Sequence, residues 1–149
     1  MELQIDQFRG KYVFLSNFYS TKFEYKNITF CNSEQAFQWE KAEDEKSKNM
    51  ILNTNSPKIA KAIGKKCICD IQKWNERKFD VMEQILLIKF SDPELRKKLQ
   101  ETKNYVLIEG NYWHDNIWGI CMCDKCKNIG DNNLGKILMK IRDNYIEKP

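Results

Sequence analysis

Histidine is nearly absent from this sequence: His114 stands alone in a chain of 149 residues. A metal centre built on several histidines is therefore excluded. Proline and glycine are also sparse, at 3 and 6 residues, and no repeat, low-complexity tract or Pro/Gly-rich linker interrupts the chain. One domain over residues 1–149 is the expected organisation. No apolar run approaches the roughly 18 residues that a membrane-spanning helix needs. The start from Met1 to Gly10 is polar and lacks the apolar stretch of a signal peptide, so a cytoplasmic protein with no membrane partner is expected. Charge is nearly balanced: 25 Lys and Arg against 21 Asp and Glu leave +4. That suits an anionic ligand but is too weak to indicate nucleic-acid binding by itself.

What the chain does contain is a core. Hydrophobic residues make up 42%, with 8 Phe, 6 Tyr and 4 Trp, enough to exclude disorder of the whole chain. The 6 cysteines, in the absence of a secretion signal, read as reduced thiols or metal ligands and not as a disulfide framework.

The first third reads as extended, with Tyr12-Val13-Phe14 as a short apolar run. Phe23-Glu24-Tyr25 and Ile28-Thr29-Phe30 alternate across Lys26-Asn27, which predicts a hairpin. Asn32 and Ser33 are good caps for a helix running through Ala36, Phe37 and Ala42. Ser56-Pro57 opens a second helix, with Gly64 read as its stop. Ile71, Trp74, Val81, Met82, Ile85, Leu86 and Ile88 recur at helical spacing up to Phe90. Asp92-Pro93 starts a shorter helix ending near Leu99. Tyr105 to Ile108 predicts one buried strand, and Leu134 to Ile146 a last helix. The sum is an α+β, helix-rich domain with a small sheet.

Polar chemistry collects in a few places. Glu34, Gln38 and Lys41 lie four and then three residues apart and share one helical face. On residue type alone, an ordinary solvated face is the default for such a stripe. Glu109, Asp115 and Trp118-Gly119 follow the predicted strand, a common way to present carboxylates on a rigid support. A plain surface loop explains them equally. Gly130-Asp131-Asn132-Asn133-Leu134-Gly135-Lys136 feeds a helix N-terminus and offers amides to a phosphate, although a simple cap has the same composition. Cys121, Cys123 and Cys126 supply a C-x-C-x-x-C cluster. Tetrahedral zinc needs a fourth ligand, from Cys31, Cys67, Cys69 or His114, and free thiols are the alternative.

Taken in order along the chain, these segments resemble the NADAR family of YbiA-like N-glycosidases, named for NAD and ADP-ribose. The resemblance rests on Leu15-Ser16-Asn17-Phe18-Tyr19. It continues in Ser33-Glu34 with Phe37-Gln38 and Lys41, and in Gly64, Trp74, Met82 and Lys89-Phe90. It closes with Glu109, Asp115, Trp118-Gly119, Gly130-x-Asn132-x-Leu134-Gly135, Leu138-Met139 and Arg142. Each motif is weak alone; their order across nearly the whole chain is specific. The sequence departs from the family at Ile120 to Ile129, where the cysteine cluster replaces a stretch that is Gly-rich and cysteine-free in many relatives.

The resemblance implies a YbiA-like fold and hydrolysis of an N-glycosidic bond at ribose C1. Family substrates include ADP-ribose on guanine, removed by relatives that counteract DNA ADP-ribosyltransferase toxins. Another branch acts on a phosphorylated ribosylamino-pyrimidine of riboflavin synthesis. The implied partner is thus ADP-ribosylated guanine in DNA or a nucleotide, or a ribosylated nucleotide-like small molecule, with a functional link to such a toxin. Glu34, Lys41 and Asp115 become the catalytic candidates. Ser16, Asn17, Phe18, Ser33, Gln38, Trp74, Glu109, Trp118, Gly119 and Asn132 become the binding candidates. No cofactor is implied, zinc at Cys121/Cys123/Cys126 being the one alternative, and a monomer is the default.

Two chemistries fit those residues. Glu34 or Asp115 can do acid–base work, as carboxylates do in O-glycosidases. Alternatively, with an amine leaving group the ribose can open to an imine and Lys41 can capture C1 as a Schiff base. Burial would favour the neutral amine this needs, and pairing with Glu34 would oppose it. A non-catalytic ADP-ribose-binding module and a zinc-stabilised nucleic-acid binder are the competing classes.

Overall fold

Capping residues and hydrophobic spacing divide the chain into short strands and longer helices, seen in a computed structural model that describes residues 3–146. The fold is helix-rich α+β. Its strands form three separate two-stranded ladders, where the sequence had suggested one small sheet. Contacts group the residues into two compact units, Asn17–Ser91 and the remainder of the chain on either side of it.

In the unit Asn17–Ser91, strands β1 (Phe23–Tyr25) and β2 (Ile28–Phe30) pair antiparallel, Tyr25 opposite Ile28. Lys26 and Asn27 turn the hairpin with φ of 51° and 64°, the left-handed geometry that two-residue hairpin loops require. Helix α1 (Ser33–Lys41) starts where Asn32 Oδ1 accepts the Gln35 amide at 2.8 Å. Helix α2 (Glu45–Leu52) was not anticipated, because its polar run hides the single buried residue, Ile51. Its start signal is Asp44, whose carboxylate takes the amides of Ser47 and Ile68, both at 3.0 Å. The buried Gln35 side chain closes the far end of α2, donating to the carbonyls of Ile51 and Thr54 at 3.0 and 2.9 Å. Helix α3 (Pro57–Lys66) runs through Gly64 instead of stopping there.

Helix α4 (Ile71–Lys89) lays Trp74, Val81, Met82, Ile85 and Leu86 into this unit's core. Phe30 and Phe90 are completely buried with them. Truncating a buried Phe of this kind costs about 3–5 kcal/mol, so the aromatic layer carries much of this unit's stability.

In the other unit, Tyr12-Val13-Phe14 is not extended. It belongs to a 3-10 helix, Gly10–Leu15, that buries both Phe14 and Leu15. A strand would send these neighbours to opposite faces, and the tighter turn lets both go inward. Strand β3 (Gln4–Ile5) pairs in parallel with β4 (Val106–Leu107), Ile5 opposite Leu107. Helix α5 (Pro93–Gln100) buries Leu95 and Leu99. Strand β5 (Gly110–Asn111) pairs in parallel with β6 (Ile120–Cys121). The last helix, α6 (Asn133–Ile146), contributes Leu134, Leu138 and Ile141. Buried Arg142 on α6 donates to the Tyr105 carbonyl at 2.8 Å and the Thr102 hydroxyl at 3.1 Å.

One core residue breaks the apolar rule. Lys89, at the end of α4, is 1% exposed. Its Nζ lies 5.6 Å from the Tyr19 ring centre and 5.1 Å from that of Phe90. Burial in these surroundings lowers its pKa from 10.5 to about 7. Between those values the unfolded chain holds a proton that the folded chain has released, so stability rises with pH across that window. Urea unfolding at pH 7, 8 and 9 should therefore show wild-type stability increasing with pH. Lys89→Met should flatten the trend, and an equal slope in both proteins would show that Lys89 titrates normally.

Candidate active site

The face of α1 predicted from sequence exists, and it is buried. Glu34 and Gln38 are both 7% exposed, and Gln38 Nε2 donates to Glu34 Oε1 at 3.0 Å. Lys41, half-buried one turn on, donates to the Gly64 carbonyl at 2.9 Å. Gly64 explains the arrangement. A Cβ built there would stand 1.8 Å from Gln38 Oε1, so α3 offers α1 a bare stretch of backbone over which the carboxamide lies. Any side chain there would displace the Gln38 carboxamide.

Asn17 reaches the same helix through its carbonyl, which accepts the Glu34 amide at 3.1 Å. Its side-chain Nδ2 points to Met82 Sδ at 3.6 Å. Ser33, in the first turn, is completely buried. Among the described residues, Asn17 Oδ1, Ser33 Oγ and Gln38 Oε1 are buried with no hydrogen-bond partner. Buried polar atoms are normally satisfied, and orphans mark places where the protein keeps hydrogen-bonding capacity in hand. Three of them here belong to predicted binding residues of this one unit. Phe18 is exposed.

Lys41 and Trp74 line one pocket of about 150 Å³, with Glu43, Cys69, Asp70, Lys73 and Arg77. Trp74 is both core and wall: its ring sits 5.0 Å from that of Phe37 at 55°, and the Arg77 guanidinium lies 5.2 Å from its centre. Arg77 also pairs with Glu40 at 3.3 Å. Glu40, half-buried and passed over in the sequence, accepts from the Tyr25 hydroxyl at 2.9 Å and pairs with Lys26.

The remaining candidates sit in the other unit, where they build a loop. Asp115 Oδ1 accepts the amides of Ile117 and Trp118 at 3.2 and 2.9 Å, and Asp115 N–H donates to Asn111 Oδ1 at 3.1 Å. Asn111 Nδ2 donates to Glu109 Oε2 and to the Asp115 carbonyl. Gly119 is required because a Cβ would meet the Glu109 carbonyl oxygen at 2.0 Å. Trp118 is half-buried, and Ser16 closes the 3-10 helix through its amide. The expected phosphate cradle is occupied from within. The amides of Asp131, Asn132, Asn133 and Leu134 donate to carbonyls of residues 116–119. Asn132 spends its carboxamide on Glu109 N–H and the Leu107 carbonyl.

A family model described as the NADAR domain matches residues 6–145. The chain belongs to the NADAR family. N-glycosidase YbiA of Escherichia coli is 33% identical over 148 residues, and that of Shigella flexneri 34%, each match covering 89% of both chains. An N-glycosidase of Acanthamoeba polyphaga mimivirus is 41% identical over 78 residues, 47% of this chain and 45% of that relative. The chain thus spans under half of the viral relative and most of the bacterial ones. The NMR structure of the E. coli protein YbiA superposes with a TM-score of 0.80 at 30% identity, over 98% of this chain and 87% of that one. The NADAR fold expected from the motifs is therefore present.

Besides Glu40, buried Lys89 lies outside the predicted site residues, and exposed His114 enters only through the cysteine cluster. Lys89 carried a signal, since it follows Met82, Ile85 and Leu86 on the inward stripe of α4. His114 carried none beyond being one possible fourth partner for the cysteines.

The Gly64 contact yields a double-mutant test. Gly64→Ala gains about 0.5–1 kcal/mol of helix propensity but displaces the Gln38 carboxamide. If the two groups touch as described, Gly64→Ala and Gln38→Ala should couple by about 0.5–3 kcal/mol in urea unfolding. Simple additivity would refute the contact.

Proposed function

We propose that this protein is an N-glycosidase that hydrolyses the bond between ribose C1 and an amine-type nitrogen, with ADP-ribosylated guanine as its substrate. The observation that carries the reading is the buried Glu34–Gln38 pair on α1, together with the unpartnered oxygens of Asn17, Ser33 and Gln38. Ribose hydroxyls and base nitrogens are donors of the kind those oxygens would accept. The N-glycosidase names of the relatives support the bond type, and the pocket beside Lys41 supports a phosphorylated, ring-bearing substrate. Lys41, Lys73 and Arg77 there outnumber Glu43 and Asp70, and Trp74 supplies an aromatic wall.

In this mechanism Glu34 handles the proton that opens the ribose ring, leaving C1 as an iminium on the leaving nitrogen. The Lys41 amine adds to C1 and passes a proton to the leaving nitrogen, the leaving amine departs, and a lysine imine remains. Water adds to that imine, releases the sugar as its aldehyde and returns the amine, so one water is consumed per bond cleaved. Gln38 orients Glu34. Asp115 acts as the cap that fixes the Ile117–Trp118 turn.

The test is single-turnover mass spectrometry on a DNA oligomer carrying ADP-ribosyl-guanine, with borohydride added to trap an imine. Wild type should release ADP-ribose. Glu34→Gln should slow release by about 10²-fold or more, as loss of acid–base assistance does. Lys41→Arg should abolish both release and the trapped adduct. An adduct on Lys89 would move the nucleophile there. Release from a ribosylamino-pyrimidine phosphate alone would reassign the substrate, and no release from either would leave a binding module.

A further inference from the structure

His114 lies where the cysteine cluster needs it. Its Nδ1 is 3.3 Å from Cys126 Sγ, 3.5 Å from Cys123 Sγ and 3.7 Å from Cys121 Sγ. All four donor atoms fall within 4.8 Å of one another. Tetrahedral zinc, at about 2.3 Å from sulfur and 2.0–2.1 Å from nitrogen, sets nitrogen and sulfur about 3.6 Å apart and two sulfurs about 3.8 Å apart. The nitrogen-to-sulfur distances already match those around a bound ion. We propose that His114, Cys121, Cys123 and Cys126 form a closed structural zinc site that fastens the loop of residues 112–119 to the hairpin of residues 120–130.

The backbone is shaped for this role. Cys126 N–H points to Cys123 Sγ at 3.4 Å, and Lys127 N–H donates to the Cys123 carbonyl at 2.9 Å. Lys127 and Asn128 then take left-handed φ values of 52° and 62°. This returns the chain to Cys121, whose amide and carbonyl pair with Ile129 and Asn128 at 3.1 and 3.0 Å. The result is a tight knuckle with sulfurs on its inner side. An amide donating to a ligand sulfur is the outer-shell support that metal sites use.

The donor set decides the metal class. Three thiolates and an imidazole are soft to borderline ligands that suit zinc, and four protein ligands leave no open position for catalysis. The segment also needs such a fastening. Its large apolar side chains, Tyr112, Trp113, Ile117 and Ile129, are exposed, so hydrophobic burial does little to hold it. A bound ion substitutes for a missing core. Spacing within the cysteine triplet had left it one ligand short; the tertiary structure supplies the fourth from a loop seven residues before Cys121.

The test uses the tag-free full chain, grown with zinc and purified without chelator. Elemental analysis should give one zinc per chain, and cobalt substitution should produce thiolate-to-cobalt charge-transfer absorption. Cys126→Ser and His114→Ala should lose the metal, His114→Cys should keep it, and Cys67→Ser, outside the cluster, should keep it too. Chelation of the wild type should speed amide exchange in residues 112–129. Zinc far below one per chain with no cobalt–thiolate band would overturn the proposal, as would full zinc content in both ligand-loss variants. Because metal content and the cobalt band are read on the wild type, a variant that fails to fold leaves the proposal falsifiable.

Discussion

The candidate active site depends on the absence of a side chain at Gly64. The carboxamide of Gln38 lies over that backbone, its Nε2 holds Glu34, and the Gly64 carbonyl holds Lys41. Three polar side chains on one helical face would ordinarily turn to water. Here α3 passes close enough to bury the first two and fix the third. The hydrogen bonds are individually modest, about 0.5–1.5 kcal/mol net. The cost of leaving such groups buried and unpaired makes their geometry a strict one.

The same unit holds two further polar centres, one half-buried and one buried. Glu40 gathers Tyr25, Lys26 and Arg77, and Arg77 in turn covers Trp74. Lys89 sits among aromatic rings with its proton affinity lowered. Buried ionisable groups cost stability unless they are paired or neutralised, and they concentrate where a protein does chemistry. The unit Asn17–Ser91 therefore keeps these two ionisable centres on helices α1 and α4.

The second group of motif residues does something different. Asp115, Glu109 and Asn132, with Asn111 between them, spend polar atoms on one another and on main chain. They specify the path of the chain between β4 and α6, which has little apolar material of its own. Read as letters, Asp115 and Asn132 look like an acid and a phosphate ligand. Their bonds also make Asp115 a turn cap and Asn132 a splint. A proposed zinc ion at His114 and the cysteines extends that logic to the part of the loop that hydrogen bonds alone leave thinly held.

The sequence by itself determined the elements and the family. Caps at Asn32, Ser56 and Asp92, the Lys26-Asn27 turn and the apolar stripe of α4 are local signals, set by backbone geometry and helical period. The ordered motifs from Leu15 to Arg142 identified the NADAR fold. Local signals failed where burial overrode them: at the 3-10 helix, at α2 with its one buried residue, and at Gly64, where a helix breaker by composition serves as a contact point. Only the tertiary structure decided which polar residues are partners. Gln38 meets Gly64 and His114 meets Cys126 across 26 and 12 residues of chain. No period or propensity encodes such pairings, because they exist only once packing has set the distances.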